Sequence, residues 1–232
     1  MAQAVDLELP AGARYALIGP NGAGKTTLIN LVTGMLAPDG GRVFLDGEDI
    51  TALPPEARVK RGLARTFQIN TLFAQLTALE SVALAVLERD AHAHNWWRGL
   101  PRFAPQLEEA QAILKSLRLE NQGNRPTREL AYGEQRLLEI ALALATRPRV
   151  LLLDEPAAGV PREETAALFA AIAGLSRELT VLFIEHDMEV VFRFASRILV
   201  MVGGRILVQG TPEEIARDPT VREVYLGRAR HA

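Results

Sequence analysis

The 232-residue chain is 48% hydrophobic and 23% charged, which suits one large folded domain, or a domain with a subdomain, around a substantial core. Its net charge of −2, with no basic run, disfavours nucleic acid as a partner, and the absence of cysteine excludes disulfides, thiolate nucleophiles and cysteine-ligated metals. The first ten residues, MAQAVDLELP, carry two acids and no base, so no secretory leader is expected, and apolar stretches such as IALALA (140–145) and ILVMV (198–202) fall far short of a membrane span.

In chain order, VDLELP (5–10) alternates apolar and polar residues and predicts a strand; Gly12 turns the chain into RYALIG, a second strand. A helix is expected from about Lys25 to Met35, stopping near Gly34 before the turn APDGG. RVFLDGEDI reads as a strand pair about Asp46-Gly47. A short helix follows Pro54-Pro55 and ends at Gly62, and LARTFQ is a further strand. Thr77 and Glu80 have capping-box spacing at the head of a helix to about Arg89. HAHNWWRGLPRF breaks the periodicity before PQLEEAQAILKSLRL resumes it. No convincing strand falls between roughly 75 and 140, which predicts an inserted helical subdomain there, with 1–74 and 141–232 forming the rest. Then strands and helices alternate: RVLLLD, a helix over 161–178, TVLFIE, a helix over 188–195, and RILVMV. Such alternation argues for an α/β fold with a parallel sheet covered on both faces. Thr211-Pro212-Glu213-Glu214 caps a last helix.

Residues 19–27, GPNGAGKTT, fit the spacing of a phosphate-binding loop. Glycines let successive N–H groups turn inward around an anion, and the helix that starts here adds the positive end of its dipole. Asn21, Gly22, Ala23, Gly24, Lys25, Thr26 and Thr27 are the expected nucleotide contacts. Lys25 would reach the outer phosphates and the Thr26 hydroxyl would join Mg²⁺. LLLDEP (151–156) is an apolar strand ending in two acids, at the carboxyl edge where ligands bind in parallel sheets. Asp154 would hold Mg²⁺, directly or through water, and Glu155 would act as general base toward an attacking water. Alone, this motif could equally be an acidic turn after a core strand. LAYGEQ (130–135) opens another helix behind a glycine, a second potential anion site. One nucleotide cannot fill both sites unless the fold brings them together.

These motifs, in this order, resemble the ATP-binding subunits of ABC transporters over nearly the whole chain: the loop at 19–27, Gln68 in RTFQ, a close variant of the family signature at 130–135, the acidic strand at 150–155, and His186 in IEHD. The resemblance implies a phosphate-loop (RecA-like) core with a mostly parallel sheet, a small and here shortened N-terminal antiparallel part, and a helical subdomain (75–140) carrying the signature. It implies that two ATPase subunits, identical or not, pair head to tail. Tyr132, Gly133 and Glu134 would then act on the γ-phosphate of ATP bound by the other chain. Gln68 would touch Mg²⁺ or the attacking water, and His186 would contact the γ-phosphate and assist Glu155. Membrane-spanning permease subunits are the implied partners, on the cytoplasmic face of the inner membrane. Without the resemblance, Gln68 is an ordinary surface residue and His186 a core histidine. A metal site at His92 and His94 lacks a further ligand, His231 belongs to a tail, and Trp96 and Trp97 suit packing between helices.

GLARTFQ, LAYGEQRLLEIALALA, LLLDEPAAG, IEHDM and GTPEEIARDPTVREVYLG are similar to importer ATPases for branched-chain amino acids, and the HAHNWWRGLPRF insertion fits that group's longer loop. ATPases for urea or amide import and for lipopolysaccharide export share much of this wording and stand as alternatives. A nucleotide-gated module with little hydrolysis is another. A different phosphate-loop kinase or GTPase would leave 130–135 and His186 unexplained, and no N-K-x-D motif is present. Two departures from the family pattern stand out. The chain begins 18 residues before Gly19, without the usual first strand and its adenine-stacking aromatic, and Tyr15 is expected to pack in the strand instead. Weak ATP binding by the isolated chain is therefore expected. The stretch after Pro156 reads AAGV, with Val160 where many relatives have aspartate, which bears on coupling between two ATP sites.

Overall fold

The structure, a computed structural model, describes residues 2–66, 72–91 and 103–226, with the backbone alone for 224–226. Gln68, His92, His94, Trp96, Trp97 and His231 lie outside the described residues. The chain forms two compact units, Met1–Arg65 with Arg149–Pro156 and Glu178–Ala232, and Thr66–Pro148 with Ala157–Arg177.

The first unit is built on a six-stranded sheet. Its strands are β1 (Arg14–Ile18), β4 (Leu63–Arg65), β5 (Val150–Asp154), β6 (Thr180–Ile184), β7 (Arg197–Val202) and β8 (Arg205–Gly210), in the order β4-β5-β6-β1-β7-β8. All neighbours are parallel except the β7–β8 hairpin. The inner strands are apolar on both faces: Leu17, Leu152, Leu182 and Leu199 are buried on one and Leu151, Val181, Phe183 and Val200 on the other, as a sheet covered on both sides requires. Ile184 lies level with both Leu17 of β1 and Asp154 of β5, so the segments leaving these three strands emerge along one carboxyl edge. Helices α1 (Lys25–Thr33), α2 (Pro55–Lys60), α7 (Met188–Phe194), α8 (Pro212–Arg217) and α9 (Pro219–Leu226) belong to this unit. A small antiparallel pair, β2 (Phe44–Leu45) and β3 (Glu48–Asp49), turns at Asp46 (φ 50°) and Gly47 (φ 80°), as a tight two-residue hairpin demands.

Residues 5–10 correct the sequence reading: they are not a strand. Val5, Leu7 and Leu9 pack half-buried against the core while Asp6, Glu8 and Pro10 stay exposed, so the alternation reports a one-sided segment. No strand ladder among the described residues includes them, and alternation alone does not supply a pairing partner. Strand β8 and helix α9 were not anticipated. The hairpin turn at Gly203 and Gly204 and the half-exposed alternation of RILVQG were the available signals.

The second unit is helical: α3 (Ala78–Arg89), α4 (Ala104–Ser116), α5 (Tyr132–Ala145) and α6 (Arg162–Ala173). Thr77 and Glu80 close the expected capping box on α3. Ala78, Val82 and Val86 form one buried stripe of α3 at helical spacing, and Leu114, Leu138 and Ala141 are buried on α4 and α5. The unit takes in more chain than 75–140, because α6 packs on α5 and buries Leu168, Phe169 and Ile172. That helix is also shorter than 161–178: it runs from Arg162 to Ala173, with Gly174 as its C-cap.

Candidate functional site

Residues 19–24 connect β1 to α1. Gly22 and Gly24 take φ of 78° and 103°, the left-handed region in which glycine meets no steric penalty. Gly19 is needed for a different reason: a Cβ there would lie 2.2 Å from the Met201 carbonyl oxygen. The loop is anchored by Gly204 N–H donating to the Ala23 carbonyl at 2.8 Å. Asn21, Gly22 and Thr26 are exposed, Thr27 half-buried and Ala23 buried. Lys25 is 7% exposed, and its ammonium donates to the Gly19 carbonyl at 2.8 Å and the Pro20 carbonyl at 3.2 Å. Burial pulls its pKa below the usual lysine range, opposed by the charges of Glu155 and Asp154.

Asp154 ends β5 and is 5% exposed. Its Oδ2 accepts from the Arg65 guanidinium at 2.7 Å, and Arg65 also donates to Asn30 Oδ1 at 2.6 Å. Arg65 thereby ties the acid to α1, five residues beyond Lys25. Glu155 follows at φ 49°, a conformation a non-glycine residue adopts at a cost of about 1–3 kcal/mol and which concentrates at functional sites. Its N–H donates to the Ile184 carbonyl at 3.1 Å, and its Oε1 lies 2.7 Å from His186 Nε2. An imidazole in that contact fixes where the carboxylate points. The structure thus brings Lys25, Asp154, Glu155 and His186 into one unit, on the segments leaving β1, β5 and β6.

Thr26 and Asp154 offer hard oxygen donors. Mg²⁺ takes one or two protein oxygens and completes its shell with water and phosphate. This donor set fits Mg²⁺, and no cluster of three or more metal-ligating side chains among the described residues competes with it.

Tyr132, Gly133 and Glu134 form the first turn of α5 in the helical unit. The Glu134 carboxylate accepts from Ala131 N–H at 2.9 Å, which caps the helix. Gly133 N–H donates to Glu164 Oε2 at 3.2 Å, and the Tyr132 hydroxyl accepts from Arg136 at 2.8 Å. The sequence reading missed Arg65, Asn30, Arg136 and Glu164. Only Arg65 carried a hint, as a cation inside the expected strand LARTFQ.

Comparison with known proteins agrees with this architecture. Residues 2–158 match the ABC transporter family, and residues 205–231 match the branched-chain amino acid ATP-binding cassette transporter family. The chain is 44% identical, over 97% of its length and 91% of the relative's, to the high-affinity branched-chain amino acid transport ATP-binding protein BraF of Pseudomonas aeruginosa. The ADP conformation of MJ1267, an ATP-binding cassette of an ABC transporter, superposes with a TM-score of 0.83 at 32% identity, covering 97% of this chain and 93% of that one. The dimeric structure of MJ0796, a bacterial ABC transporter cassette, gives 0.74 at 26% identity, covering 91% and 90%.

Proposed function

The chain belongs to the ABC transporter family of ATP-binding subunits, and from that premise we propose that it binds and hydrolyses Mg²⁺-ATP to drive import of branched-chain amino acids. The observation that carries the reading is the Glu155–His186 contact at 2.7 Å, on the same sheet edge as the phosphate loop.

In this reading the amides of 21–27 and the Lys25 ammonium neutralise the phosphates. Lys25 exchanges its two carbonyl partners for phosphate oxygens, and its partial desolvation strengthens that attraction. Mg²⁺, when bound, supplies Lewis-acid stabilisation of charge on the transferring phosphoryl group. Thr26 and Asp154 would hold it, with Asp154 kept in place by Arg65. Glu155 takes the proton of the attacking water as general base, and His186 orients it and faces the γ-phosphate. Gln68 is assigned to Mg²⁺ or the attacking water on family resemblance. Residues 132–134 of a second ATPase subunit, identical or related, complete the nucleotide site head to tail, a pairing supported by the dimeric relative. No helix among the described residues is long and apolar enough to cross a membrane. In this reading membrane-spanning permease subunits form the path for the substrate, and this chain docks peripherally on the inner face.

The relatives' substrate and the matched C-terminal segment favour branched-chain amino acids over urea, amides or lipopolysaccharide. Uptake of labelled leucine and of labelled urea by cells lacking the gene tests this. Loss of leucine uptake, restored by the wild-type chain and not by Glu155→Gln, is expected. Intact leucine uptake with lost urea uptake would overturn the assignment.

A further inference from the structure

Inside the helical unit, one buried cation touches both segments that the hydrolysis reading needs to coordinate. Arg136 lies one turn into α5 and is 7% exposed. Its Nη1 donates to Glu139 Oε2 at 2.8 Å, and its Nη2 donates both to the Tyr132 hydroxyl at 2.8 Å and to the Ala158 carbonyl at 3.3 Å. The guanidinium also stacks over the Tyr132 ring, 5.1 Å from its centroid. The loop 157–160 meets the same side chain. Gly159, at φ 79°, approaches so closely that a Cβ there would lie 3.0 Å from the Tyr132 hydroxyl.

Stability alone does not account for this arrangement. Arg136 Nε and Glu139 Oε1 are buried without a hydrogen-bond partner among the described residues. Burial pushes the Glu139 carboxyl above its usual range, only partly offset by Arg136. A buried pair so incompletely satisfied is commonly no more stabilising than apolar residues of the same volume. What the pair does supply is a fixed connection between residue 132, at the head of α5, and the loop 157–160, which begins two residues after Glu155 in the chain.

We propose that Arg136, backed by Glu139, is a positioning residue for ATP hydrolysis: it clamps the Tyr132 hydroxyl to the Ala158 carbonyl, so that the segment presented to one nucleotide and the loop following the general base of the other move as one piece. This rests on the hydrolysis reading. It assigns to Arg136 and Tyr132 a coupling role within one subunit, for a chain that carries Val160 where many relatives have aspartate.

The test compares wild-type full-length chain with Arg136→Met, Arg136→Lys and the double variant Arg136→Met/Glu139→Met. The readouts are kcat and KM for ATP, thermal denaturation, and deuterium uptake by the peptide spanning 157–160. Arg136→Met is expected to lower kcat at least tenfold with KM within twofold, and to speed exchange at Val160, whose N–H donates to the Ala157 carbonyl across this turn. The double variant removes both charges and should regain the wild-type Tm while kcat stays low and exchange stays fast. Arg136→Lys, which keeps the charge without the planar fork, should fall between. Recovery of kcat together with Tm in the double variant would reduce Arg136 to packing and overturn the proposal, as would unchanged kcat and exchange in Arg136→Met. An inactive wild-type chain would count against the hydrolysis reading instead, and the exchange data would still decide whether the clamp exists.

Discussion

Glu155 holds a left-handed backbone conformation and meets His186 at 2.7 Å, and the two features have one physical sense. The strained turn aims the carboxylate off the end of β5, and the imidazole selects one of its rotamers. Replacing His186 by alanine leaves the charge of Glu155 intact and removes that selection. Expected is a fall in kcat of about 10²-fold with ATP affinity nearly unchanged, measured by steady-state hydrolysis and nucleotide titration. An equal loss of affinity would mean that His186 serves binding more than positioning. Residues 19–27 were legible in the sequence because glycine spacing reports backbone geometry directly. Arg65 was not, because its partner Asp154 is 89 positions away and nothing local signals the pairing. The pair Arg136 and Ala158 was hidden for the same reason.

At the scale of elements, α1 illustrates how a helix end can be closed by a distant side chain. Gly34 ends it in the left-handed conformation, and its last carbonyls need donors. Arg58, 1% exposed, supplies them: it donates to the carbonyls of Leu31 and Val32 and also to those of Thr51 and Leu53. A cation at a helix C-terminus is favoured by the dipole as well. Arg58→Ala takes the guanidinium from four carbonyls, of which Leu31 keeps the Gly34 N–H as a donor, and is expected to cost about 2–4 kcal/mol in urea denaturation.

The helical unit has its own staple. Glu109 of α4 accepts from Arg89 of α3 and from Arg147, and this holds its carboxyl down to about 2 from an ordinary 4.5. A depressed carboxyl stabilises the fold fully above the unfolded value, and that stabilisation is lost as pH falls from about 4.5 toward 2. Because solvent reaches the pair, its worth is about 1–2 kcal/mol. Glu109→Gln should flatten the acid limb of the stability profile between those pH values and leave the alkaline limb unchanged. The capped helices were readable from sequence because caps are local. Residues 5–10 were misread because period-two alternation reports one-sided burial, which a segment without a pairing partner can also show. Strand β8 was overlooked because, as an edge strand, its half-exposed pattern lacks the apolar run of the inner strands.

For the molecule as a whole, the sheet order places three strand ends on one edge, and the chemistry of the first unit follows from that register. The α/β class was legible from alternating apolar strands and helices. The boundary of the helical unit was less so, since α6 joins it through packing that no run of residues announces. If the loop at 19–24 and Lys25 form the phosphate site, ATP must stabilise the folded chain by mass action. At a concentration 100-fold above its dissociation constant this amounts to about 2.7 kcal/mol. The corresponding rise in Tm should disappear in Lys25→Ala, while ligand-free stability falls little. A retained ATP-induced shift would place the nucleotide elsewhere.

The most direct test of the hydrolysis mechanism is the fate of bound ATP in Glu155→Gln beside the wild-type chain, followed by separating ATP from ADP over time. The mechanism predicts that the variant binds ATP as tightly as wild type and keeps it intact, with hydrolysis slowed about 10²–10⁴-fold by loss of the general base. Hydrolysis by the variant at the wild-type rate would contradict the assignment of Glu155 and with it the mechanism built on this sheet edge.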